Sequence, residues 1–303
     1  MAVVPPISAV IVSFESSEVL GACLEALPAA GVRHGVEAWV IDNASTDDSV
    51  AVARRHLPAE RVIQLPVNRG FSAGVNTGLA RCTGRMVAVL NPDAVASPGS
   101  LDTLADLLER TPGAGLAAPL VVAPSGTPEA SVGRFPTPAR ERNHALRLDK
   151  LTRAAGRTCP FPAQTGPVDW ASGCAWLLRA EAVREVGPLD ERFFMYFDDV
   201  DYCRRLWSAG WQVLATRTAQ VEHRAGHGSR ATGALAAEGG LSPTRYFEKH
   251  FTARDAERAR RWLMRGWQLR AMAHEVATWF GRPDAAARAA RYRQALARIR
   301  GAQ

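Results

Sequence analysis

The sequence predicts an α/β fold in which a mostly parallel central sheet is flanked by helices on both faces. Continuous apolar runs at residues 7–13 and 86–90 are typical of parallel strands that are buried on both sides. Segments with helical spacing separate such runs, so strands and helices alternate through the first part of the chain. Polar residues follow several strands directly, and ligands of open α/β sheets bind beyond the carboxyl ends of the strands.

The first part of the chain accounts for most of the predicted sheet. Strands are expected at residues 7–13, 37–42, 62–65 and 86–90. Helices are expected at residues 18–27, after the capping residues 45–48, and at residues 72–81 and 98–110. We interpret residues 1–122 as the first half of a main domain that spans residues 1–240.

The second half of the main domain, residues 123–240, departs from this alternation, which ends after Leu116. Residues 134–167 are rich in Pro, Arg and Gly, and they predict a long excursion with one helix near residues 140–155. Regular structure is expected again as a strand at 175–178, a helix at 198–209 and a strand at 211–216. Residues 241–303 are predicted to form a helical C-terminal extension.

The composition argues against a membrane-spanning protein and against a secreted one. The sequence contains no uncharged apolar run of about 18 residues, so no transmembrane helix is expected. The N-terminus lacks the basic segment of a signal peptide. The five cysteines are scattered without the spacing of metal ligands, which indicates free thiols in a reducing cytosol. A cytoplasmic location is therefore expected.

The positive charge is concentrated in the C-terminal extension. Residues 251–303 contain twelve arginines, no lysine and four acidic residues, a net charge of +8, whereas the preceding residues carry −1. A neutral main domain argues against nucleic-acid binding. The basic helices, with Trp262, Trp267, Trp279 and Phe280, suit peripheral contact with an anionic membrane at its inner face. They fit packing on the main domain or a homodimer contact equally well.

The second predicted strand ends in a polar turn. Asp42 and Asn43 leave the strand, and Ser45 and Asp47 open the next helix. These side chains, together with the free backbone N–H groups of a helix N-terminus, could hold a nucleoside or could simply cap the helix. The first strand is not followed by Gly-x-Gly-x-x-Gly, which argues against a dinucleotide-binding domain.

Residues 68–78 combine polar side chains with three glycines. Asn68, Arg69 and Gly70 open the segment, and Gly74 and Asn76 follow. A glycine inside a helix costs about 1 kcal/mol relative to alanine, so we expect a specific structural or functional requirement for these glycines. Either a phosphate approaches the backbone, with Arg69 neutralising its charge, or the helix packs closely on the sheet.

The fourth predicted strand ends at Asn91-Pro92-Asp93, which presents one carboxylate at the rim of the sheet. Mg²⁺ or Mn²⁺ prefers such oxygen ligands together with a substrate diphosphate, although the same tripeptide is also a good turn. His223 follows the last predicted strand and could be a second ligand, which would suit Mn²⁺ better than Mg²⁺. His227, Ser229 and Arg230 could face phosphate oxygens.

Three carboxylates lie within four residues, directly behind the aromatic segment 193–197. Asp198, Asp199 and Asp201 are close enough in sequence to raise one another's proton affinity, and apolar surroundings act in the same direction. This is how proteins produce a general base. The alternative is an acidic helix start that the helix dipole stabilises. We expect Asp201 to pair with Arg204 or Arg205.

These segments, in this order, resemble those of an inverting glycosyltransferase of family 2 with the GT-A fold. The resemblance covers residues 7 to 227. It rests on the first strand with Ser13, the turn at 40–47, the segment at 68–76, Asn91-Pro92-Asp93 and the segment 189–201. Within the family, the chain is most similar to rhamnosyltransferase-type members that act on cell-surface polysaccharides. Asn91 replaces the first Asp of the family's Asp-x-Asp, and Asp198 replaces the Glu of its Glu-Asp pair.

The resemblance implies a nucleotide-binding half, an acceptor half and a metal-dependent transfer. Asp93 and His223 would hold Mn²⁺ or Mg²⁺, and Asp199, with Asp198 beside it, would act as the base. The donor would be a dTDP- or UDP-sugar, foremost dTDP-rhamnose, and the acceptor a glycan or a polyprenyl-linked glycan. Acceptor-side residues would be Trp170, Gly173, Phe194 and Tyr196. Donor-side residues would be Ser13, Asp42, Asn43, Ser45, Asp47, Asn68, Arg69, Gly70, Gly74, Asn76, Asn91 and Asp93.

Other classes of protein remain as alternatives. A non-catalytic relative that binds sugar nucleotides or glycans is permitted by the substitutions at Asn91 and Asp198, but the combination of Asp93, Asp199 and His223 argues against it. A UDP-hexose transferase of the same family is a second alternative. An NAD-dependent or nucleotidyl-transfer enzyme is disfavoured by the missing glycine pattern.

Overall fold

The computed structural model describes residues 7–148, 161–224 and 232–301, with the backbone alone for residues 232–237. The chain divides into two compact units that interleave along the sequence. The first consists of Met1–Gly133, Pro160–Glu191 and Asp198–Arg230, and the second of Arg134–Cys159, Arg192–Phe197 and Ala231–Gln303. Residues 149–160, including part of the helix expected near 140–155, and His227, Ser229 and Arg230 lie outside the described residues.

The first unit contains the sheet and the helices that cover it. Its strands are β1 (Ile7–Ser13), β2 (Val36–Asp42), β3 (Val62–Gln64), β4 (Met86–Leu90), β5 (Ala94–Ala96), β6 (Ala114–Val122), β7 (Val132–Gly133), β8 (Gly166–Pro167), β9 (Trp170–Ala171), β10 (Ala175–Arg179) and β11 (Gln212–His223). Its helices are α1 (Leu20–Ala30), α2 (Ser49–His56), α3 (Phe71–Leu79), α4 (Ser100–Arg110), α6 (Ala180–Val186) and α7 (Asp198–Ser208), with a 3₁₀ turn at Ala59–Arg61.

The central sheet has the strand order β3-β2-β1-β4-β10-β6-β11-β5, and β8 pairs with β11. The four strands from β3 to β4 are parallel, as predicted. Strand β10 runs antiparallel to both β4 and β6, and β6 and β11 are again parallel. The predicted α/β fold with a mostly parallel sheet is therefore confirmed, with β10 as the reversed strand in its middle.

This register brings several strand ends to one edge of the sheet. The carboxyl ends of β1 and β2 pair Ser13 with Asp42, and that of β4 lies beside the amino end of β10, where Leu90 pairs with Ala175. Strands β6 and β11 end at the same edge, since both run parallel to β4. Polar residues that follow these strands are thus collected along one rim.

Two glycines of α3 explain how this helix lies so close to the sheet. A Cβ atom added to Gly74 would lie 2.6 Å from Cγ1 of Val12, and one added to Gly78 would collide with Val10. Both valines are buried in β1. Of the two reasons that the sequence left open for these glycines, close packing of the helix on the sheet therefore accounts for Gly74 and Gly78.

Strand β6 extends beyond the point where the sequence pattern ended. It continues past Leu116 to Val122, and all nine residues are buried. Its Ala, Gly and Pro content gives it low intrinsic strand propensity, so its position between β10 and β11 determines its conformation. Pro119 cannot donate a hydrogen bond, and the pairing register of β11 shifts opposite it, between Thr216 and Gln220.

The second unit is helical. It contains α5 (Pro138–Ala145), α8 (Thr232–His250), α9 (Ala253–Trp279) and α10 (Ala285–Gly301). Tyr246 and Phe247 of α8 are fully buried, and their rings meet edge to face at 5.5 Å. The predicted helical C-terminal extension is confirmed, although its first helix begins at Thr232, ahead of the expected boundary.

Two expectations from composition can be compared with the structure. The described cysteines, Cys23, Cys82, Cys174 and Cys203, are free thiols, as expected. Among the helices in the described part of the chain, none combines the length and the apolar character needed to cross a membrane.

Candidate active site

The turn after β2 is ordered by its own polar side chains. The buried Asp42 carboxylate accepts hydrogen bonds from the Ser45 backbone N–H at 3.0 Å and from the Ser45 hydroxyl at 2.6 Å. Ser45 Oγ in turn accepts from the Glu15 backbone N–H at 3.0 Å. Asp42 and Ser45 therefore fix the shape of the turn at the carboxyl end of β2.

Asp47 supports the same turn from the start of α2. Its carboxylate accepts hydrogen bonds from the Ser17 backbone N–H at 3.0 Å and from both the backbone and the hydroxyl of Ser49. Burial acts to raise the pKa of Asp47, but these hydrogen bonds outweigh burial and hold the pKa below its usual value. An ionised Asp47 thus ties the loop after β1 to the first turn of α2.

Asn43 connects the β2 turn to the segment that opens α3. Its side-chain amide donates to the carbonyl of Gly70 at 2.9 Å, and its side-chain oxygen accepts from the Arg69 backbone N–H at 3.2 Å. Asn68 accepts from the Gly70 backbone N–H at 2.9 Å, and Gly70 has a positive φ of 86°, which favours glycine. These contacts leave the Arg69 guanidinium half-exposed at the rim.

Asn76 places an acidic residue beside Arg69. Its side chain donates to the Leu189 carbonyl at 2.9 Å and accepts from the Leu189 backbone N–H at 2.8 Å. It also donates to Glu191, whose carboxylate forms an ion pair with Arg69 at 2.7 Å. Sequence patterns did not indicate Glu191, because its role depends on contacts between segments far apart in the chain.

Asp93 and His223 lie together, as the sequence predicted for a metal site. His223 Nε2 is 3.4 Å from Asp93 Oδ1, and the Arg224 backbone N–H donates to the Asp93 carbonyl at 2.9 Å. The pairing of β5 with β11 produces this proximity, because His223 is opposite Ala94 in the register.

Glu129 is a third member of this cluster and was not predicted. Its Oε2 is 3.0 Å from His223 Nδ1, so the imidazole lies between two carboxylates. Contact with Asp93 first, and with Cys174 next, raises the pKa of His223 to about 11. Glu129 lies in the loop after β6, where the sequence shows no pattern that would single it out.

The donor set at this cluster fits a divalent cation that replaces the proton on His223 Nε2, because only a deprotonated ring nitrogen binds a metal. Two ligands of an octahedral ion, each at about 2.1 Å, lie about 3 Å apart. The 3.4 Å between Asp93 Oδ1 and His223 Nε2 is close to that spacing. Glu129 faces the other ring nitrogen, as the outer partner of a histidine ligand commonly does.

A second group of potential ligands lies away from this edge. His34, Asp106 and Glu109 bring one ligand atom each within 4.8 Å of one another. His34 precedes β2, so this group is near the amino end of the strand, and His34 Nδ1 is already 2.8 Å from Asp102. Because exposed acidic groups often meet without an ion, we assign this group no role.

The carboxylate cluster opens α7, and its members differ in accessibility. Asp198 is buried, and burial followed by the charge of Asp199 raises its pKa well above the usual value. Asp199 is partly exposed, and burial raises its pKa to about 6, although hydrogen bonds from the Val200 and Gly173 N–H groups act in the opposite direction. Asp199 can therefore both reach a ligand and accept a proton near neutral pH.

Asp201 has a structural role, as predicted. Its carboxylate, 1% exposed, accepts a hydrogen bond from Arg205 Nε at 3.1 Å. Arg205 also donates to the carbonyls of Val186 and Pro188. Asp201 therefore orients Arg205, which joins α7 to the segment before it.

The expected acceptor-side residues are divided between the two units. Trp170 lies in β9, and Gly173 donates its backbone N–H to Asp199 Oδ2 at 3.3 Å. Phe194 and Tyr196 belong to the second unit, where Tyr196 has a left-handed φ of 66°.

Phe194 and Tyr196 belong to the short segment 192–197, which is anchored to α8 within the second unit. Ser242 donates its hydroxyl to the Met195 carbonyl at 2.7 Å, and the rings of Phe197 and Tyr246 lie 5.5 Å apart. Phe197 also has a left-handed φ, of 62°, and such a conformation costs about 1–2 kcal/mol for a residue with a side chain. The packing on α8 offsets this cost.

Ser13 and Asn91 complete the rim. The Ser13 hydroxyl, at the carboxyl end of β1, is buried and has no hydrogen-bond partner among the described residues. The Asn91 backbone N–H donates to the Cys174 carbonyl at 2.9 Å, which joins the ends of β4 and β10.

Two solved structures with a similar fold are glycosyltransferases. A mannosyltransferase from Pyrobaculum calidifontis in complex with GDP-Man and Mn²⁺ has a TM-score of 0.56 and 14% identity, covering 99% of this chain and 87% of that chain. GalNAc-T7 with UDP, GalNAc and Mn²⁺ has a TM-score of 0.56 and 12% identity, covering 74% of this chain and 44% of that chain. At these identities the likeness shows the fold, which is of the expected GT-A type.

Sequence relatives lead to the same class of protein. The N-acetylglucosaminyl-diphospho-decaprenol L-rhamnosyltransferase of Mycobacterium tuberculosis is 34% identical over 208 residues, 63% of this chain and 67% of that protein. The pre-mycofactocin glycosyltransferase of the same species is 32% identical over 194 residues, 62% of this chain and 37% of that protein. The family model described as "Glycosyltransferase like family 2" matches residues 5–264, and this chain therefore belongs to that family of glycosyltransferases.

Proposed function

We propose that this protein transfers a sugar from a nucleoside diphosphate donor to a hydroxyl group of a glycan, with inversion at the anomeric carbon. The observation that carries the proposal is the Asp198–Asp199 pair, in which the partly exposed Asp199 has a pKa raised to about 6. A base with that pKa is mostly ionised at neutral pH and still binds a proton readily.

The donor would lie along the rim formed by the strand ends. The turn at Asp42 and Asn43 would hold the nucleoside, with Ser45 and Asp47 keeping the turn in shape. Arg69 would leave Glu191 to neutralise a phosphate, because a guanidinium binds phosphate oxygens in a bidentate manner. The unpartnered hydroxyl of Ser13 is a further candidate for a contact to the donor.

Asp93 and His223 would hold Mn²⁺ or Mg²⁺, and Glu129 would orient His223 through Nδ1. The bound cation would compensate the negative charge that develops on the departing diphosphate. Of the two metals, a histidine ligand favours Mn²⁺.

Asp199 would accept the proton of the acceptor hydroxyl while the oxygen attacks the anomeric carbon. The new bond forms as the bond from that carbon to the phosphate oxygen breaks, and the nucleoside diphosphate leaves with the bonding electrons. The Gly173 N–H holds one carboxylate oxygen of Asp199 and thereby orients the base. Phe194 and Tyr196, which directly precede the pair in the chain, are proposed as acceptor-side residues together with Trp170.

We propose dTDP-rhamnose as the first donor to test and a polyprenyl-linked glycan as the acceptor. The support is the mycobacterial relative, which is named as a rhamnosyltransferase acting on a decaprenol-linked substrate. UDP-hexoses are the second choice. We propose that the protein works in the cytoplasm at the inner face of the membrane, where it would meet a lipid-linked acceptor.

A donor panel tests this proposal. Binding of dTDP-, UDP- and GDP-sugars is measured by calorimetry with and without Mn²⁺, and release of nucleoside diphosphate is then measured with a polyprenyl-diphosphate glycan present. We expect one donor to bind in a Mn²⁺-dependent manner and to be turned over. Binding without turnover by any donor and acceptor would favour a non-catalytic relative, and no nucleotide binding would contradict the proposal.

A further inference from the structure

The last part of α9 exposes an apolar face in the second unit. Its members follow helical spacing, so they lie on one side of the helix and continue into the turn before α10. They are Leu269 (47% exposed), Met272 (60%), Val276 (50%), Trp279 (87%) and Phe280 (79%). Such a contiguous exposed patch marks an interaction surface more often than single exposed side chains do.

The side of α9 that packs within the second unit is already occupied. Leu263 and Ala271 are buried, and Gly266 lies against Ala145 of α5. The ring of Trp267 meets Tyr292 of α10 edge to face at 5.3 Å. The largely exposed end of the apolar face, Trp279 and Phe280, therefore lies outside these contacts of α9 with α5 and α10.

The two helices that this turn connects expose many arginines. On the same side of α9 as the apolar face, towards its amino end, the exposed residues include Arg254, Arg258, Arg261 and Arg265. The outer side of α10 exposes Arg288, Arg291, Arg298 and Arg300, and Arg282 lies in the turn beside Phe280. The acidic residues here are fewer than the arginines: Glu257 contacts Arg260 and Arg261, Glu275 contacts Arg293, Asp255 caps α9 with Thr252, and Asp284 is exposed in the turn itself.

The positive charge of α9 and α10 favours a partner with a negatively charged surface. Two copies of the chain brought together through this face would place arginines against arginines, which is unfavourable. An anionic bilayer instead supplies negative headgroups for the arginines and an apolar layer for Trp279 and Phe280. None of the described helices can span the bilayer, so contact would be at its surface.

We infer that the turn between α9 and α10 docks on an anionic lipid bilayer, with Trp279 and Phe280 inserted below the headgroups and arginines of the two helices facing them. Docking requires no nucleotide, metal or acceptor, so it can be tested separately from the proposed transfer reaction. It would hold the enzyme at the surface on which a lipid-linked acceptor resides.

Vesicle flotation tests the inference. The full chain is mixed with vesicles of phosphatidylcholine alone or of equal parts phosphatidylcholine and phosphatidylglycerol. We expect binding to the anionic vesicles only, and weaker binding as the salt concentration increases. The double variant Trp279→Ser/Phe280→Ser should bind at least tenfold more weakly, whereas Val32→Ser, which removes another exposed apolar side chain in the first unit, should bind as the wild type does.

Three results would overturn the inference. These are no binding of the wild type to anionic vesicles at low salt, equal binding to neutral vesicles, and unchanged binding of the double variant. Light scattering tests the alternative that a second copy of the chain covers this face. A wild-type dimer that becomes a monomer in the double variant would assign the face to that second copy and contradict membrane docking. Circular dichroism verifies that the variant is folded, and turnover of a water-soluble acceptor reports separately on the transfer reaction.

Discussion

Single residues determine the chemistry that this fold can perform. Asp198 and Asp199 are adjacent, but Asp198 is buried while Asp199 is partly exposed and held by the Gly173 N–H. The residues alone indicated a base among these carboxylates, and the family resemblance implied Asp199. The structure separates them by accessibility, which favours Asp199.

The raised pKa of Asp199 predicts a pH-dependent loss of stability. The unfolded chain releases this proton near pH 4 and the folded chain near pH 6, so the folded state binds more protons between these values and loses stability as the pH rises through them. We expect Asp199→Asn to increase the free energy of unfolding by about 2 kcal/mol at pH 7.5 and to leave it unchanged near pH 4. Urea unfolding at both pH values measures this difference.

Asp201→Asn is the matched control for that experiment. It removes a carboxylate from the same helix turn, but one whose charge is paired with Arg205. Breaking a buried pair costs about 3–5 kcal/mol, so this variant should be less stable than the wild type at pH 7.5. If Asp199→Asn were also less stable than the wild type at pH 7.5, the ionised Asp199 carboxylate would not destabilise the folded protein, and the raised pKa would be contradicted.

Glu129 predicts a measurable effect on metal affinity. Because it contacts Nδ1 of His223, Glu129→Gln should weaken Mn²⁺ binding in the presence of nucleoside diphosphate by about 10-fold, within the range typical for outer partners of metal ligands. Calorimetry with Mn²⁺ measures this affinity. Glu222→Gln, which alters the neighbouring residue of β11 that contacts Arg224, should bind Mn²⁺ as the wild type does. Equal affinities of the two variants would exclude Glu129 from the site.

Among the secondary-structure elements, the strands of the central sheet position the site, because the polar residues that follow them lie along one edge of the sheet. Strands β1, β2 and β4 were predicted within one residue of their observed bounds, because their apolar runs are long and continuous. Strand β6 was not predicted, since its small residues carry a weak strand signal, and β11 was predicted only as far as Thr216. Glu129 and Glu191 could not be predicted, because each acts through a partner more than ninety residues away, His223 and Arg69.

The packing of α3 on β1 predicts the effect of filling a glycine. In Gly74→Ala, the added Cβ would overlap Val12, and overpacking of this kind costs about 1–3 kcal/mol, which exceeds the gain of about 1 kcal/mol in helix propensity. Thermal unfolding should therefore show a lower Tm for Gly74→Ala. Gly239→Ala in α8 is the control, because its Cβ would be 3.6 Å from Trp267, an ordinary contact, and its Tm should be equal or higher. A Tm of Gly74→Ala equal to or above that of the wild type would contradict the close packing of α3 on β1.

At the scale of the whole molecule, charge and chemistry are separated along the chain. The family motifs lie before residue 228, and the net charge of +8 lies in residues 251–303. The sequence showed this asymmetry, but it could not tell which face of α9 is exposed, because the face depends on how α5 and α10 cover the helix. We therefore expect loss of Trp279 and Phe280 to affect vesicle binding and to leave nucleotide binding unchanged.

The pH dependence of kcat/KM for transfer, compared between the wild type and Asp199→Asn, tests directly whether Asp199 is the base. We predict that the wild-type rate increases with pH through an apparent pKa near 6 and then levels off, because only the ionised base accepts the proton. Asp199→Asn should lose about 10²–10⁴-fold in rate at pH 7.5 while it remains folded and still binds the donor. A folded Asp199→Asn variant with the wild-type rate and pH profile would contradict the assignment of Asp199 as the base.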